Sequence, residues 1–261
     1  MSVIGIIPAR MAASRFPGKP MEKILGMPMI GHCYYRTCMV EGLDSVYVAT
    51  CDTEIFDYIE SIGGKSLMTS KSHTRATTRT AEAMEHVEKI MNKTVDVVVM
   101  VQGDEPLIPP NIIAETLPHF KDIELGVVNI MSKIRDNNQF VDRNNVKVVC
   151  DAKNNALYFS REPIPSPWKG IGIDALYMQT GIIAFRRESL IKFNSTDETK
   201  LERIESVDLN RILEMGGRVR MVPTDVYTLG IDTPEELDEA QKLMQDDKYV
   251  SSYLFKQPGK S

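Results

Sequence analysis

The chain is predicted to be an α/β protein with a mostly parallel central sheet and a smaller antiparallel extension. Strand and helix patterns alternate through the first ~100 residues, which calls for right-handed βαβ units covered on both faces. The middle, roughly 132–180, is instead more polar and crowds short strands together, as antiparallel structure does. The whole, 261 residues with 43% hydrophobic and 26% charged, suits one large domain or two small ones with an ample core.

Apolar, β-branched runs predict the strands. They fall at "VIGIIP" (3–8), "VYVAT" (46–50), "VDVVVMVQGD" (95–104), "LGVVNIM" (125–131), "VKVVCD" (146–151), "ALYFS" (156–160), "GIIAF" (181–185) and "VRMVPT" (219–224). Between the early ones, helical spacing marks 28–40, 53–62 after a capping-type Asp52, and 80–91. A last helix is expected over 233–244, with Thr233 as its N-cap and Pro234 in its first turn. One domain spanning 1–261 is expected, with 132–180 as an extension of it.

Composition excludes several classes of function. The net charge of −5 argues against a nucleic-acid or membrane surface, while leaving room for a small anion held by a few focused cations. The four cysteines, Cys33, Cys38, Cys51 and Cys150, show no C-x-x-C spacing, and no stretch approaches a membrane span or a signal peptide. A reduced, cytoplasmic protein is expected. His32, His73, His86 and His119 lack ligand or triad spacing, and the 15 methionines fit core filling.

In α/β sheets ligands sit at the carboxyl ends of the strands, and two motifs occupy that position. The first is "IIPARMAASRFPGKP" (6–20), where Gly18 permits close backbone approach and Arg10, Arg15 and Lys19 can converge on a di- or triphosphate. It is neither a Walker A loop nor G-x-G-x-x-G, and a solvated basic turn is the alternative. The missing glycine fingerprint also disfavours a dinucleotide-dependent oxidoreductase. The second is "VMVQGDEPLI", a strand running into Gln102, Gly103 and Asp104. A carboxylate there is placed to hold Mg²⁺ beside phosphates, or else the segment is a β-turn. In "YTLGIDTPEEL" (227–237), Asp232 reads as a helix-start residue or as a second metal carboxylate.

Taken in order, "IIPARMAASRFPGKP", "VQGDEPLI", "ALYFSREPIP", "TGIIAFR" and "LGIDTPEELDEA" resemble the 3-deoxy-manno-octulosonate cytidylyltransferase (CMP-Kdo synthetase) family from about residue 3 to residue 245. The resemblance implies a Rossmann-like nucleotidyltransferase fold and a homodimer built through the 132–180 extension. It implies transfer of CMP from CTP to an anionic acceptor with release of pyrophosphate. By the same resemblance Arg10, Arg15 and Lys19 grip the CTP phosphates, and Asp104 and Asp232 hold Mg²⁺, with Lys19, Asp104 and Asp232 the catalytic set. Thr77 and Arg79 lie by the nucleotide, Gln102 touches ribose or acceptor, and Arg161 lies near an acidic acceptor.

The chain also departs from the family. H-E-S-G-T-D-R becomes "HTRATTR" (73–79), keeping His73, Thr77 and Arg79 but placing Thr74, Arg75, Ala76 and Thr78 where acidic, glycine and other positions stood. Gln179 replaces a histidine, Ile183 a tyrosine, and Leu209 an acceptor-binding glutamine. A hydrogen-bonding site that loses its partners rejects its old substrate strongly, so these changes imply an acceptor other than Kdo itself, with Arg75, Arg161, Gln179 and Ser206 as its contacts. An acidic sugar, an amino-sugar variant, a phosphonate and an amino acid are the candidates. A catalytically weak nucleotide-binding paralogue is the rival from another class.

Overall fold

The computed structural model describes residues 1–12, 16–170 and 176–254. The chain folds into two compact units, Met1–Ala114 with Thr228–Ser261, and Glu115–Tyr227.

The first unit begins with β1 (Val3–Ala9), then a small hairpin of β2 (Lys23–Ile24) and β3 (Met27–Pro28) leading into α1 (Met29–Cys38). There follow β4 (Ser45–Thr50), α2 (Thr53–Ser61), β5 (Ser66–Met68), α3 (Ala76–Met91), β6 (Val97–Val101) and α4 (Pro110–Ala114). Its strands run β6-β1-β4-β5, every pair parallel. All seven residues of β1 and all five of β6 are buried, the continuous apolar run expected of strands covered on both faces. The carboxyl ends of β1 and β6 therefore open side by side.

The second unit contains β7 (Val127–Lys133), α5 (Asn137–Val141), β8 (Lys147–Cys150), β9 (Ala156–Ser160) and β10 (Tyr177–Arg186). It continues through α6 (Arg187–Asn194), α7 (Lys200–Glu205), α8 (Asp208–Glu214) and β11 (Val219–Thr224). Here β11 pairs parallel with β7, while β7 with β10, β10 with β8 and β8 with β9 are antiparallel, as the crowded short strands of the sequence foretold. The β7–β10 ladder shifts register between Gln179 and Ile183, and the Asn129 amide fills the gap by donating to the carbonyls of Thr180 (3.0 Å) and Ile182 (2.7 Å).

The chain then returns to the first unit with α9 (Pro234–Gln245) and α10 (Val250–Leu254). Thr233 caps α9 as expected, in a reciprocal capping box with Glu236. Asp52 does stand before α2, but makes no side-chain cap; its carboxylate accepts from Met11 N at 2.8 Å.

Two buried polar clusters fasten the units internally. In the first unit, His32 is fully buried on α1, its Nε2 facing the Ile24 carbonyl (2.8 Å) and its Nδ1 the Tyr253 hydroxyl (2.9 Å). The carbonyl can only accept, so the neutral ring donates from Nε2 and takes the Tyr253 proton at Nδ1. One turn on, Arg36 pairs with Asp247 at 2.7 Å and donates to the Leu107 carbonyl at 3.2 Å, tying the C-terminal helices to α1. In the second unit, Arg211 forks onto Glu202 with two 2.6 Å bonds and donates to the carbonyls of Phe193 and Thr196.

Burial lowers the pKa of His32 to about 4. The unfolded chain therefore takes up a proton from about pH 6.5 downward that the folded chain refuses until near pH 4. Stability should fall across that window by at most about 1.4 kcal/mol per pH unit from this group. Melting temperatures of the wild type and His32→Gln between pH 7.5 and 4 should converge on the acid side as the wild type loses its advantage. Arg211→Met would leave Glu202, which is 0% exposed, without its counter-charge, and should cost about 3–5 kcal/mol in urea unfolding. Adding Glu202→Leu to that variant should restore much of the loss.

Candidate active site

The basic loop after β1 closes on itself through Gly18, whose N–H reaches the Met11 carbonyl at 2.9 Å and whose φ of 78° is the left-handed conformation glycine adopts without strain. This turn starts a single 3-10 turn, Lys19–Met21, and sends Lys19 inward to 9% exposure. Its ammonium makes three hydrogen bonds, to Asp104 Oδ2 (2.7 Å), the Ile231 carbonyl (2.8 Å) and Asp232 Oδ1 (2.8 Å). Burial works against the charge, but the Asp104 and Asp232 carboxylates outweigh it and hold the Lys19 pKa above its ordinary value.

Each carboxylate is fixed by its backbone. Asp104 follows β6 by three residues, after Gly103, where a Cβ would lie 3.0 Å from Ile30 Cδ1 and 3.3 Å from the Pro8 carbonyl. The Asp104 carbonyl accepts from Ile231 N at 2.9 Å, and Glu236 Oε2 accepts from the amides of Asp232 (2.6 Å) and Thr233 (2.9 Å). The capping box of α9 thus also positions Asp232.

Around this triad lies a cleft of about 270 Å³ at the carboxyl ends of β1 and β6. The end of β1 gives it Pro8, Ala9 and Arg10; the segment after β6 gives Gln102, Gly103 and Asp104; the start of α3 and the residues before it give His73 through Ala76 and Arg79. Lys19, Pro20 and Asp232 complete it. A polar cleft combining arginines and a lysine with two converging carboxylates suits a phosphate-bearing ligand.

The sequence-derived residues are distributed unevenly. Arg10, Lys19, Arg75, Arg79, Gln102, Asp104 and Asp232 share the cleft. Arg15 lies outside the described residues. Thr77 is 1% exposed and does not line the cleft. Arg79 borders it but is 3% exposed, and its guanidinium donates to Thr69 Oγ1, the Ser70 carbonyl (3.4 Å) and the His73 carbonyl (3.5 Å), which shapes the wall of the cleft.

Arg161, Gln179 and Ser206 belong to the second unit. There Arg161 donates to the backbone carbonyls of Glu205 (2.8 Å), Arg143 (2.8 Å) and Ser206 (3.2 Å), so its charge is fixed in place. Glu205 gathers the same segment, accepting from Tyr158, Ser160 and the Arg161 amide, and Ser206 caps α7 in a left-handed conformation. Gln179 Oε1 is buried without a hydrogen-bond partner. Leu209, the position read as a lost acceptor contact, is 1% exposed inside α8.

Two residues that the sequence marked for other reasons hold the cleft in shape. His73 contacts Thr78 Oγ1 (3.0 Å) and the Glu82 carboxylate, which also accepts from Ser70 N (3.0 Å). Asp52 anchors the basic loop from the end of β4, whose Thr50 lies opposite Ala9 of β1. Its place directly after a parallel strand was the available signal. Among the described residues, no group of three or more His, Cys, Asp or Glu side chains is arranged to hold a metal ion. Nor is any described helix long and apolar enough to cross a membrane.

Comparison with known proteins identifies the family. The sequence model of the Cytidylyltransferase family matches residues 4–221. The 3-deoxy-manno-octulosonate cytidylyltransferase of Geobacter metallireducens is 37% identical over 92% of this chain and 96% of its own, and that of Syntrophotalea carbinolica is 39% identical over 91% and 96%. A solved structure of CMP:2-keto-3-deoxy-manno-octonic acid synthetase complexed with CTP matches with a TM-score of 0.85 at 35% identity, covering 94% of this chain and 99% of that one. Likeness of this depth along nearly the full length of both partners places the chain in the 3-deoxy-manno-octulosonate cytidylyltransferase family, and the protein is a nucleotidyltransferase.

Proposed function

We propose that the chain transfers CMP from CTP to an acidic sugar of the Kdo type, with Mg²⁺ and with release of pyrophosphate. The observation that carries this reading is the convergence of Asp104 and Asp232 on one cation beside Arg10 in the cleft. Two carboxylates on a shared cation are the donor set expected for Mg²⁺, which binds one or two protein carboxylates and completes its shell with phosphate oxygens and water. Bound there, the ion would supply Lewis-acid stabilisation of charge on the reacting phosphoryl oxygens.

The chain's own groups account for the remainder. When an acceptor oxygen attacks the α-phosphorus, the bond to the departing pyrophosphate breaks and negative charge grows on the leaving group and the equatorial oxygens. Arg10 and Lys19 neutralise it, and the fixed cleft walls supply positioning. The acceptor hydroxyl gives up its proton to water as the new P–O bond forms.

Support for the acceptor comes from the relatives, which are named for Kdo. Leu209 is packed in the core, so its apolar side chain answers to packing and does not argue for a different sugar. Gln179 keeps an amino-sugar variant in view, because its buried, partnerless Oε1 would accept from an added N–H.

Pyrophosphate release should require CTP and an acidic sugar, and a screen of four nucleotides against Kdo, its amino analogue, a phosphonate and an amino acid reads base and acceptor together. Asp104→Asn and Asp232→Asn should each lower turnover by about 10²-fold or more with the fold retained. Undiminished turnover in both would overturn the assignment. A homodimer belongs to the same proposal, supported by apolar side chains open on the second unit, Trp168 at 89%, Leu157 at 62% and Val141 at 51% exposure. Light scattering should give twice the monomer mass for the wild type and a shift toward monomer for Leu157→Lys.

A further inference from the structure

Lys19 is expected at the nucleotide phosphates, yet every proton of its ammonium is already committed. An ammonium has three N–H donors, and here they go to Asp104 Oδ2, Asp232 Oδ1 and the Ile231 carbonyl, all within 2.7–2.8 Å. The side chain is 11% exposed. In this arrangement Lys19 has no donor left for a phosphate oxygen, and the inward oxygens of both aspartates are taken.

We propose that Lys19 is a built-in counter-cation for the metal position: while the cleft holds no nucleotide, its ammonium stands between Asp104 and Asp232, and it must release both before they are open to a divalent cation. This rests on the reading of those two residues as metal carboxylates and assigns the order in which their partners exchange.

The anchors show which partner moves. Asp104 and Asp232 are pinned through their backbones, by Ile231 N on the Asp104 carbonyl and by Glu236 on the Asp232 amide. Lys19 carries its charge on a flexible four-carbon stem. Charge sets the direction of coupling. A divalent ion brings the carboxylate pair one more positive charge than the ammonium does. The displaced ammonium would then add a positive charge to a cleft that already holds Arg10 and Arg75. A polyphosphate therefore favours the exchange, and by reciprocity the exchange favours the polyphosphate. Without nucleotide, the lysine suppresses metal binding between Asp104 and Asp232.

Mn²⁺ serves as the probe, followed by electron paramagnetic resonance and calorimetry on the full chain, with circular dichroism checking the fold. Without nucleotide, Lys19→Met and Lys19→Gln should each bind Mn²⁺ about 10-fold or more tightly than the wild type, the scale of a usual coupling between sites. Affinity equal to or weaker than that of the wild type overturns the proposal. A second measurement uses the wild type alone: acetylation of Lys19 by an amine-reactive ester, read by peptide mass spectrometry, should quicken at saturating Mn²⁺ while other lysines keep their rates. An unchanged Lys19 rate also overturns it. If the wild type binds Mn²⁺ with CTP but the variants gain nothing without it, this inference alone falls. If no form binds Mn²⁺, the metal assignment falls with it.

Discussion

The first unit is organised around one ammonium group and the two carboxylates it joins. Lys19 lies 85 residues from Asp104 and 213 from Asp232, so a single side chain ties together the loop after the first strand, the segment after β6 and the returning C-terminal segment. An ion pair of this kind cannot be judged as surface electrostatics, for its members are about three-quarters or more buried and each charge needs the others. The parallel sheet supplies the frame that makes the meeting unavoidable. With β1 and β6 adjacent and parallel, whatever follows either strand emerges at the same edge.

Much of this was legible in the sequence, for a physical reason. Strands buried on both faces read as unbroken apolar runs, and "VVVMV" and "VIGIIPA" are such runs; the polar residues that follow them are then the site by position alone. The capping box at Thr233 was equally plain, because S/T-x-x-E next to proline has few other uses. The short helices of the second unit were not. Segments such as Asn137–Val141, Lys200–Glu205 and Asp208–Glu214 span barely two turns, too little for a helical period to show. The hairpin at 23–28 was hidden for another reason: its turn places Leu25 at a φ of 50°, which nothing about leucine announces.

Site residues followed the same division. Those that end strands line the cleft, and those that hold a wall or a loop were read for other uses. Asp52 looked like a helix cap and turned out to be a tether for Met11; Arg79 looked like a nucleotide contact and is spent largely on the 69–73 segment. Leu209 looked like a lost contact and is core. In each case the residue type allowed two uses, and only the three-dimensional partner decides between them.

The second unit interrupts the first in sequence, and this gives the site a history within each synthesis of the chain. Lys19 and Asp104 are both made before the first residue of Glu115–Tyr227, but Asp232 comes after the last. At ~5–20 residues per second, the lysine and its first aspartate wait on the order of ten seconds for the third member. For that interval the cluster of Lys19 and Asp104 lacks its second carboxylate, and the short segment "GIDTPEE" completes it.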